Sequence, residues 1–229
     1  MGFYDSHVER GIEFYSEENF DAATAAFKKA LEGTVPDGDV RAKCWLGRIC
    51  RKLEKWDEAL EYVRSAVETN KEDSDACGQL ALLLARNGQC DEECSELAQR
   101  SIQNNADNGE GYIALWKVHG NKKEYPEAIE ALKKGIRRGA DFSAQEAFDI
   151  IQEWAQLYCD ESVFDKAYEL TLNSVDFFNT FDFIILHARL ADYADKPREA
   201  VTYYKKALAY VRPGQLRTEI LESIAAIAE

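Results

Sequence analysis

VRAKCWLGRICRKLEKWDEALEYVRSAVETNKED, residues Val40–Asp73, decides the fold. Leu46, Gly47, Cys50 and Leu53 share one side of a helix, because spacings of three and four residues return to the same face. Glu54-Lys55-Trp56-Asp57 interrupts that period, and Ala59, Val63 and Ala66 resume it with Leu60 and Val67 beside them. The stretch predicts two amphipathic helices joined by a tight turn. Neither buries its inner face alone, so the pair must stack on copies of itself.

The copies run in both directions. Gly11, Phe14, Ala23, Phe27 and Ala30 form one before it, in helices over roughly Ser6–Glu17 and Phe20–Glu32. After it come Leu80, Ala81 and Leu84 with Cys94, Ala98 and Ser101, whose halves fit one register only with an extra residue near Gly88-Gln89. Tyr112, Leu115 and His119 lead to Tyr125, Ala128, Leu132 and Gly135; Trp154, Ala155 and Tyr158 lead to Phe164, Ala167, Thr171 and Ser174. Ile184, His187, Ala188 and Ala191 precede Ala200, Tyr204 and Ala207. The second-helix alanines Ala23, Ala59, Ala128, Ala167 and Ala200 recur at one period of roughly 34 residues or near multiples of it.

On these residues, over about Tyr4–Pro213, the chain resembles the tetratricopeptide-repeat family. The small–large–small second helices, Ala23/Phe27/Ala30 and Ala200/Tyr204/Ala207, are the specific part. The family's frequent tryptophan early in the first helix is replaced by His7, Lys43, Cys77, Tyr112, Ile151 and Ile184, and its closing proline survives as Pro36 and Pro213. The resemblance implies an all-α, right-handed superhelical solenoid of about six helix pairs and a capping helix. The repeats are expected near 4–37, 40–73, 74–108, 109–142, 143–180 and 181–214, in one domain closed by residues 215–229.

Composition bounds the rest. The 229 residues are 46% hydrophobic and 31% charged, with four prolines and no sustained strand-like alternation. Lys+Arg 28 against Asp+Glu 42 gives a net charge of −14, which repels nucleic acid and anionic membranes at long range. No apolar run approaches the ~20 residues of a membrane span, and no charged-then-apolar leader opens the chain; a cytoplasmic protein is expected. Met1–Ser6 fits the loose M-G-x-x-x-S acylation pattern, with an unhelpful aromatic after Gly2. Six cysteines (Cys44, Cys50, Cys77, Cys90, Cys94, Cys159) form no C-x-x-C pair and read as reduced, mostly core thiols.

Local signals place the boundaries. Ser6-His7-Val8-Glu9 has capping-box spacing, and Gly33–Gly38 reads as the clearest loop. Pro126 and Pro197 open second helices, where a missing N–H costs little. Gly139–Ser143 separates two repeats ahead of a longer helix to about Tyr158, and Gln215–Glu229 carries Leu216, Ile220, Ile224 and Ile227 down one side.

The resemblance implies a concave wall made mainly of first helices. Its expected lining is Val8, Ile12 and Tyr15; Arg41, Cys44, Arg48, Arg51 and Lys52; Leu82, Ala85 and Arg86; Ile113, Lys117 and Asn121; and, later, Gln152, Gln156, Asp160, Ile185, Arg189, Asp192 and Tyr193. Arg41, Cys44, Arg48 and Arg51 recur at i, i+3, i+7 and i+10, one helical stripe opposite Leu46, Gly47 and Cys50. A basic stripe in an acidic chain suits a partner segment with acidic and apolar side chains, or a free carboxylate. The bland alternative is a solvated stripe paired with Glu54, Asp73 or Asp75. The family's chaperone-carboxylate clamp is not reproduced, because Val8 and Ile12 stand at its first-repeat places.

Catalysis has little support. His7, His119 and His187 are spread over different repeats and read as buried, hydrogen-bonded histidines; Cys90-x-x-x-Cys94 lacks a second pair at zinc-finger spacing. No phosphate-binding, zinc-protease or nucleophile-elbow motif occurs. The expected function is therefore a non-enzymatic adaptor without cofactor or metal, binding a protein or peptide and able to self-associate. The alternatives are an RNA-binding helical-repeat protein and a regulatory domain cut from a larger protein.

Overall fold

The computed structural model describes residues 3–32, 36–140 and 144–228. Met1 and Gly2 of the acylation pattern, loop residues 33–35, separator residues 141–143 and Glu229 lie outside the described residues. Thirteen α-helices and no strand occur among the described residues: α1 Phe3–Ser16, α2 Phe20–Glu32, α3 Pro36–Lys52, α4 Trp56–Thr69, α5 Ser74–Arg86, α6 Glu92–Asn104, α7 Gly109–Asn121, α8 Tyr125–Arg137, α9 Ala144–Asp160, α10 Phe164–Phe178, α11 Phe181–Tyr193, α12 Pro197–Ala207 and α13 Gln215–Ala228. The chain is all-α and built of tandem hairpins. Its packing groups into two compact units, Met1–Glu124 with Glu130–Ala140, and Tyr125–Ile129 with Asp141–Glu229.

The turn between the two helices of each pair has one geometry throughout. Glu18, Glu54, Lys123, Ser162 and Asp195 are left-handed, with φ from 54° to 61°, and Gly88 takes φ 78° at the same place. The next N–H then donates back to the preceding helix: Asn19 to the Phe14 carbonyl at 2.9 Å, Lys55 to Cys50 at 2.8 Å, Val163 to Tyr158 at 2.8 Å and Lys196 to Ala191 at 2.8 Å. This six-to-one bond closes the orphan carbonyls of a helix end. Only Gly88 adopts the conformation without steric cost.

These turns set the register. Ala23, Ala59, Ala128, Ala167 and Ala200 each stand five positions after the left-handed residue, and all are fully buried. Cys94, also fully buried, stands six positions after Gly88, which is the extra residue the sequence demanded. Small side chains at these places let the paired helices close. The first helices contribute Gly11 and Gly47: an added Cβ would stand 2.7 Å from the Phe27 ring at Gly11 and 2.5 Å from Val63 Cγ2 at Gly47.

Three local expectations change. The helix α1 already begins at Phe3, so Ser6 lies inside it and no capping box opens the helix there; no glycine or proline separates Phe3 from Ser6 to stop the helix. Pro36-Asp37-Gly38 belongs to α3 rather than to a loop, since proline is tolerated in a first turn. On α13, which packs on α12, Ile220 is 2% exposed whereas Leu216 is 40% exposed, so the expected apolar side is only partly covered.

In the first unit α1 packs on α3, α3 on α5 and α5 on α7, while α2, α4 and α6 each pack against the following first helix. First helices thus line up side by side. In the second unit Phe183 is fully buried, stacked on Phe178 at 4.6 Å and met edge-on by Phe148 at 5.2 Å. The aromatic turn around Phe177–Phe183 is built around this buried ring.

Candidate partner-binding site

The basic stripe of α3 is engaged by acids from its neighbouring first helices. Arg48 Nη1 donates to Asp75 Oδ2 at 2.9 Å and its Nη2 to Asp75 Oδ1, a two-pronged pair with the first turn of α5. Arg51 Nη1 donates to Glu110 Oε1 on α7 at 2.7 Å. The helix α5 packs against both α3 and α7, so the Arg51 side chain crosses α5 to reach that carboxylate. Arg48 Nη2 stands 3.8 Å from the other Glu110 oxygen, Oε2, which is buried and accepts no hydrogen bond.

Position in the repeat explains this meeting. Arg41, Asp75 and Glu110 each lie thirteen residues before a left-handed turn residue, at Glu54, Gly88 and Lys123. The same place on three successive first helices is therefore basic, acidic and acidic. Stacking parallel helices brings that row beneath the longer arms of Arg48 and Arg51.

All four side chains are partly exposed: Arg51 19%, Glu110 16%, Arg48 24% and Asp75 35%. Burial works against the charge of Arg48, but Glu110 and Asp75 outweigh it and raise its pKa above the ordinary arginine value. The guanidinium also lies over the Trp45 ring at 5.0 Å. Trp45 in turn meets Tyr15 edge-on at 5.0 Å and stacks on Phe27 at 5.9 Å, which joins the aromatic part of the wall to its charged part.

The other expected residues divide. Arg41 is half exposed and turns back to Glu9 of α1 at 3.0 Å. Lys52 and Arg86 are exposed, with Arg86 over the Trp56 ring at 3.7 Å; Lys117 is half-buried, over Trp116 at 5.8 Å. Ile12 and Tyr15 are half-buried against the core of the first pair. Arg189 is exposed on α11, in the second unit.

Four are corrected. Val8 is fully buried and Cys44 is 1% exposed; Ala85 and Ile113 are also interior, at 5% and 3%. All four side chains belong to the core rather than to an exposed wall. Val8 closes on Ala23, Phe27 and Ala42, and Cys44 on Val40, Ala66 and Ala76. Burial, with Asp75 and Asp73 nearby, pushes the Cys44 thiol far up and keeps it protonated.

Of the sequence alternatives, Asp75 does pair with Arg48. Glu110 was not foreseen, although the repeat spacing that aligns it with Asp75 is a signal that could have found it. Gln79, one turn beyond Asp75, was also missed: it is fully buried against Gly47, and neither amide atom has a hydrogen-bond partner.

The histidines and cysteines are engaged locally. His119 Nδ1 is 2.7 Å from Glu124 Oε2 and partly exposed, not buried as expected. His187 is fully buried, with Nδ1 at 2.9 Å from the Thr171 hydroxyl. Cys90 and Cys94 direct their thiols to the Ala85 and Ala81 carbonyls of α5. All six cysteines are free thiols. Among the described residues no helix is long and apolar enough to cross a membrane, and no group of three or more His, Cys, Asp or Glu could hold a metal.

Comparison with known proteins agrees with this architecture. The tetratricopeptide-repeat family model matches residues 8–76. No curated protein matches the chain by sequence. Among solved structures, Pseudomonas aeruginosa pilF aligns with TM-score 0.59 and 19% identity, covering 96% of each chain. PilW, a type IV pilus biogenesis factor, aligns with TM-score 0.62 and 14% identity over 96% of this chain and 99% of its own. YrrB, a tetratricopeptide-repeat protein with an unusual peptide-binding site, aligns with TM-score 0.55 and 18% identity over 83% and 90%. At these identities the likeness is one of fold. The match identifies tetratricopeptide repeats over residues 8–76, and the repeated left-handed turns and buried second-helix alanines continue the same helix-pair architecture along the rest of the chain.

Proposed function

We propose that the chain is a non-enzymatic interaction scaffold that holds an acidic and apolar segment of another protein against the first-helix wall of α3, α5 and α7. The observation that carries this reading is the pair of partly exposed arginines, Arg48 and Arg51, on a wall of aligned helices, with Arg48 lying over Trp45 of the Tyr15–Trp45 aromatic pair. Guanidinium groups give two-pronged recognition of carboxylates, and half-buried aromatics give apolar area at little entropic cost. The arginines are held in place before a partner arrives, so little ordering entropy remains to be lost. YrrB, similar in fold, has a peptide-binding site, which favours the same use of this wall. Six unpaired thiols suit a reducing compartment such as the cytoplasm.

The test is affinity capture from the native host with the intact chain, beside the double charge reversal Arg48→Glu/Arg51→Glu. Partners bound by the first and lost by the second at low salt are expected. Identical capture by both would refute the reading.

A further inference from the structure

We infer that Asp75 and Glu110 are internal stand-ins for the partner's carboxylates, so that the wall is closed by its own acids and opens only to a segment that displaces them. This rests on the proposed scaffold role and names the ligand chemistry: an extended segment with carboxylates on alternate residues.

The geometry supports displacement rather than a permanent latch. Each guanidinium is hydrogen-bonded by one carboxylate, Arg48 having Glu110 Oε2 at 3.8 Å as a further ion-pair neighbour, and every partner in the network is partly open to water, from 16% to 35%. Water reaches both pairs, so each is worth on the order of 1 kcal/mol or less, and an incoming carboxylate makes the same bonds. Arg48 and Arg51 lie three apart on α3, about 5–6 Å between side-chain bases. Alternate residues of an extended chain share one face at about 7 Å, close enough for two carboxylates to engage both arms at once.

The second observation is the state of Glu110. Its Oε2 is buried with no hydrogen bond and stands 3.8 Å from Arg48, so this carboxylate fits Arg51 but leaves half its capacity unused. Gln79 adds an orphaned amide one turn further along α5. A network made only to hold helices together would be expected to satisfy these buried groups. Asp75 and Glu110 are offered by the fold at two successive first helices, whereas a ligand presents both acids from one strand.

The probe is a fluorescein-labelled, end-blocked Glu-Leu-Glu-Leu-Glu peptide, read by anisotropy at low and moderate salt. It is titrated into the wild type, Asp75→Asn, Glu110→Gln, Arg48→Gln and Arg51→Gln, with thermal unfolding of each in parallel. Removing either acid frees an arginine and is expected to tighten binding about two- to fivefold, the worth of one such pair, while lowering the unfolding temperature. Both arginine variants weaken binding. The opposite signs of affinity and stability are the signature, because a purely structural role of the acids would move both down together. If Asp75→Asn and Glu110→Gln leave affinity unchanged or reduce it while the arginine variants abolish it, the stand-in inference falls and the scaffold reading survives. If the peptide binds none of the proteins, or binds all equally, the arginine wall itself is refuted.

Discussion

Acid should loosen the second unit through a single histidine. His187 of α11 is fully buried, stacked against Tyr168 at 5.1 Å and met edge-on by Tyr203 at 4.4 Å. The Thr171 hydroxyl donates to the Tyr168 carbonyl at 3.0 Å, so it accepts from His187 Nδ1–H at 2.9 Å. That assigns the tautomer and leaves Nε2 buried without a partner. Protonation would place an unbonded N–H and a charge in the core. Burial lowers the pKa from its ordinary 6.5 to about 4; Glu199 and Asp176 oppose the shift and Lys206 adds to it. The sign follows: the unfolded chain takes the proton first, so the contribution is complete above pH 6.5. It is lost as pH falls from 6.5 towards 4, and levels off below that, where the folded state also protonates. The gap between the two values, at ~1.4 kcal/mol per pH unit, amounts to about 3 kcal/mol.

The assay is hydrogen exchange of the α10 and α11 amides around Thr171 and Ile184 from pH 7 to pH 4.5, corrected for intrinsic rates. His187→Phe keeps the ring between Tyr168 and Tyr203 and removes the titrating group, so it supplies the carboxylate baseline. The wild type should lose protection relative to the variant at close to the linkage slope. Parallel pH profiles for the two proteins would refute the argument.

The hairpin turns offer a second test. Replacing Glu54 or Lys123 by Gly, at φ 58° and 61°, removes a left-handed penalty of roughly 1–2 kcal/mol, offset in part by the freer unfolded chain; a net gain of about 0.5–1 kcal/mol should appear in urea unfolding. Gly88→Ala, at φ 78°, should cost about 1 kcal/mol by the same reasoning. Gly47→Ala drives a methyl to 2.5 Å from Val63 Cγ2 and should cost about 1–3 kcal/mol, with Val63→Ala partly rescuing it in a double-mutant cycle.

The sequence by itself determined the tandem hairpins and about how many there are. Gly47, Ala59 and Val63 announce two helices that must approach closely, and the displaced pattern after Gly88 announces one inserted residue, because helical periodicity is a local property of side-chain spacing. It also showed that Arg41, Arg48 and Arg51 share a stripe. Which groups meet that stripe was decided by the tertiary structure: Asp75 lies 27 residues from Arg48 and Glu110 lies 59 from Arg51, and only stacking of successive first helices brings them together. The same holds for Val8 and Cys44. Periodicity gives the angle at which a side chain leaves its helix, but whether water or a neighbouring repeat waits there depends on how the hairpins pack, so both residues turned from wall to core.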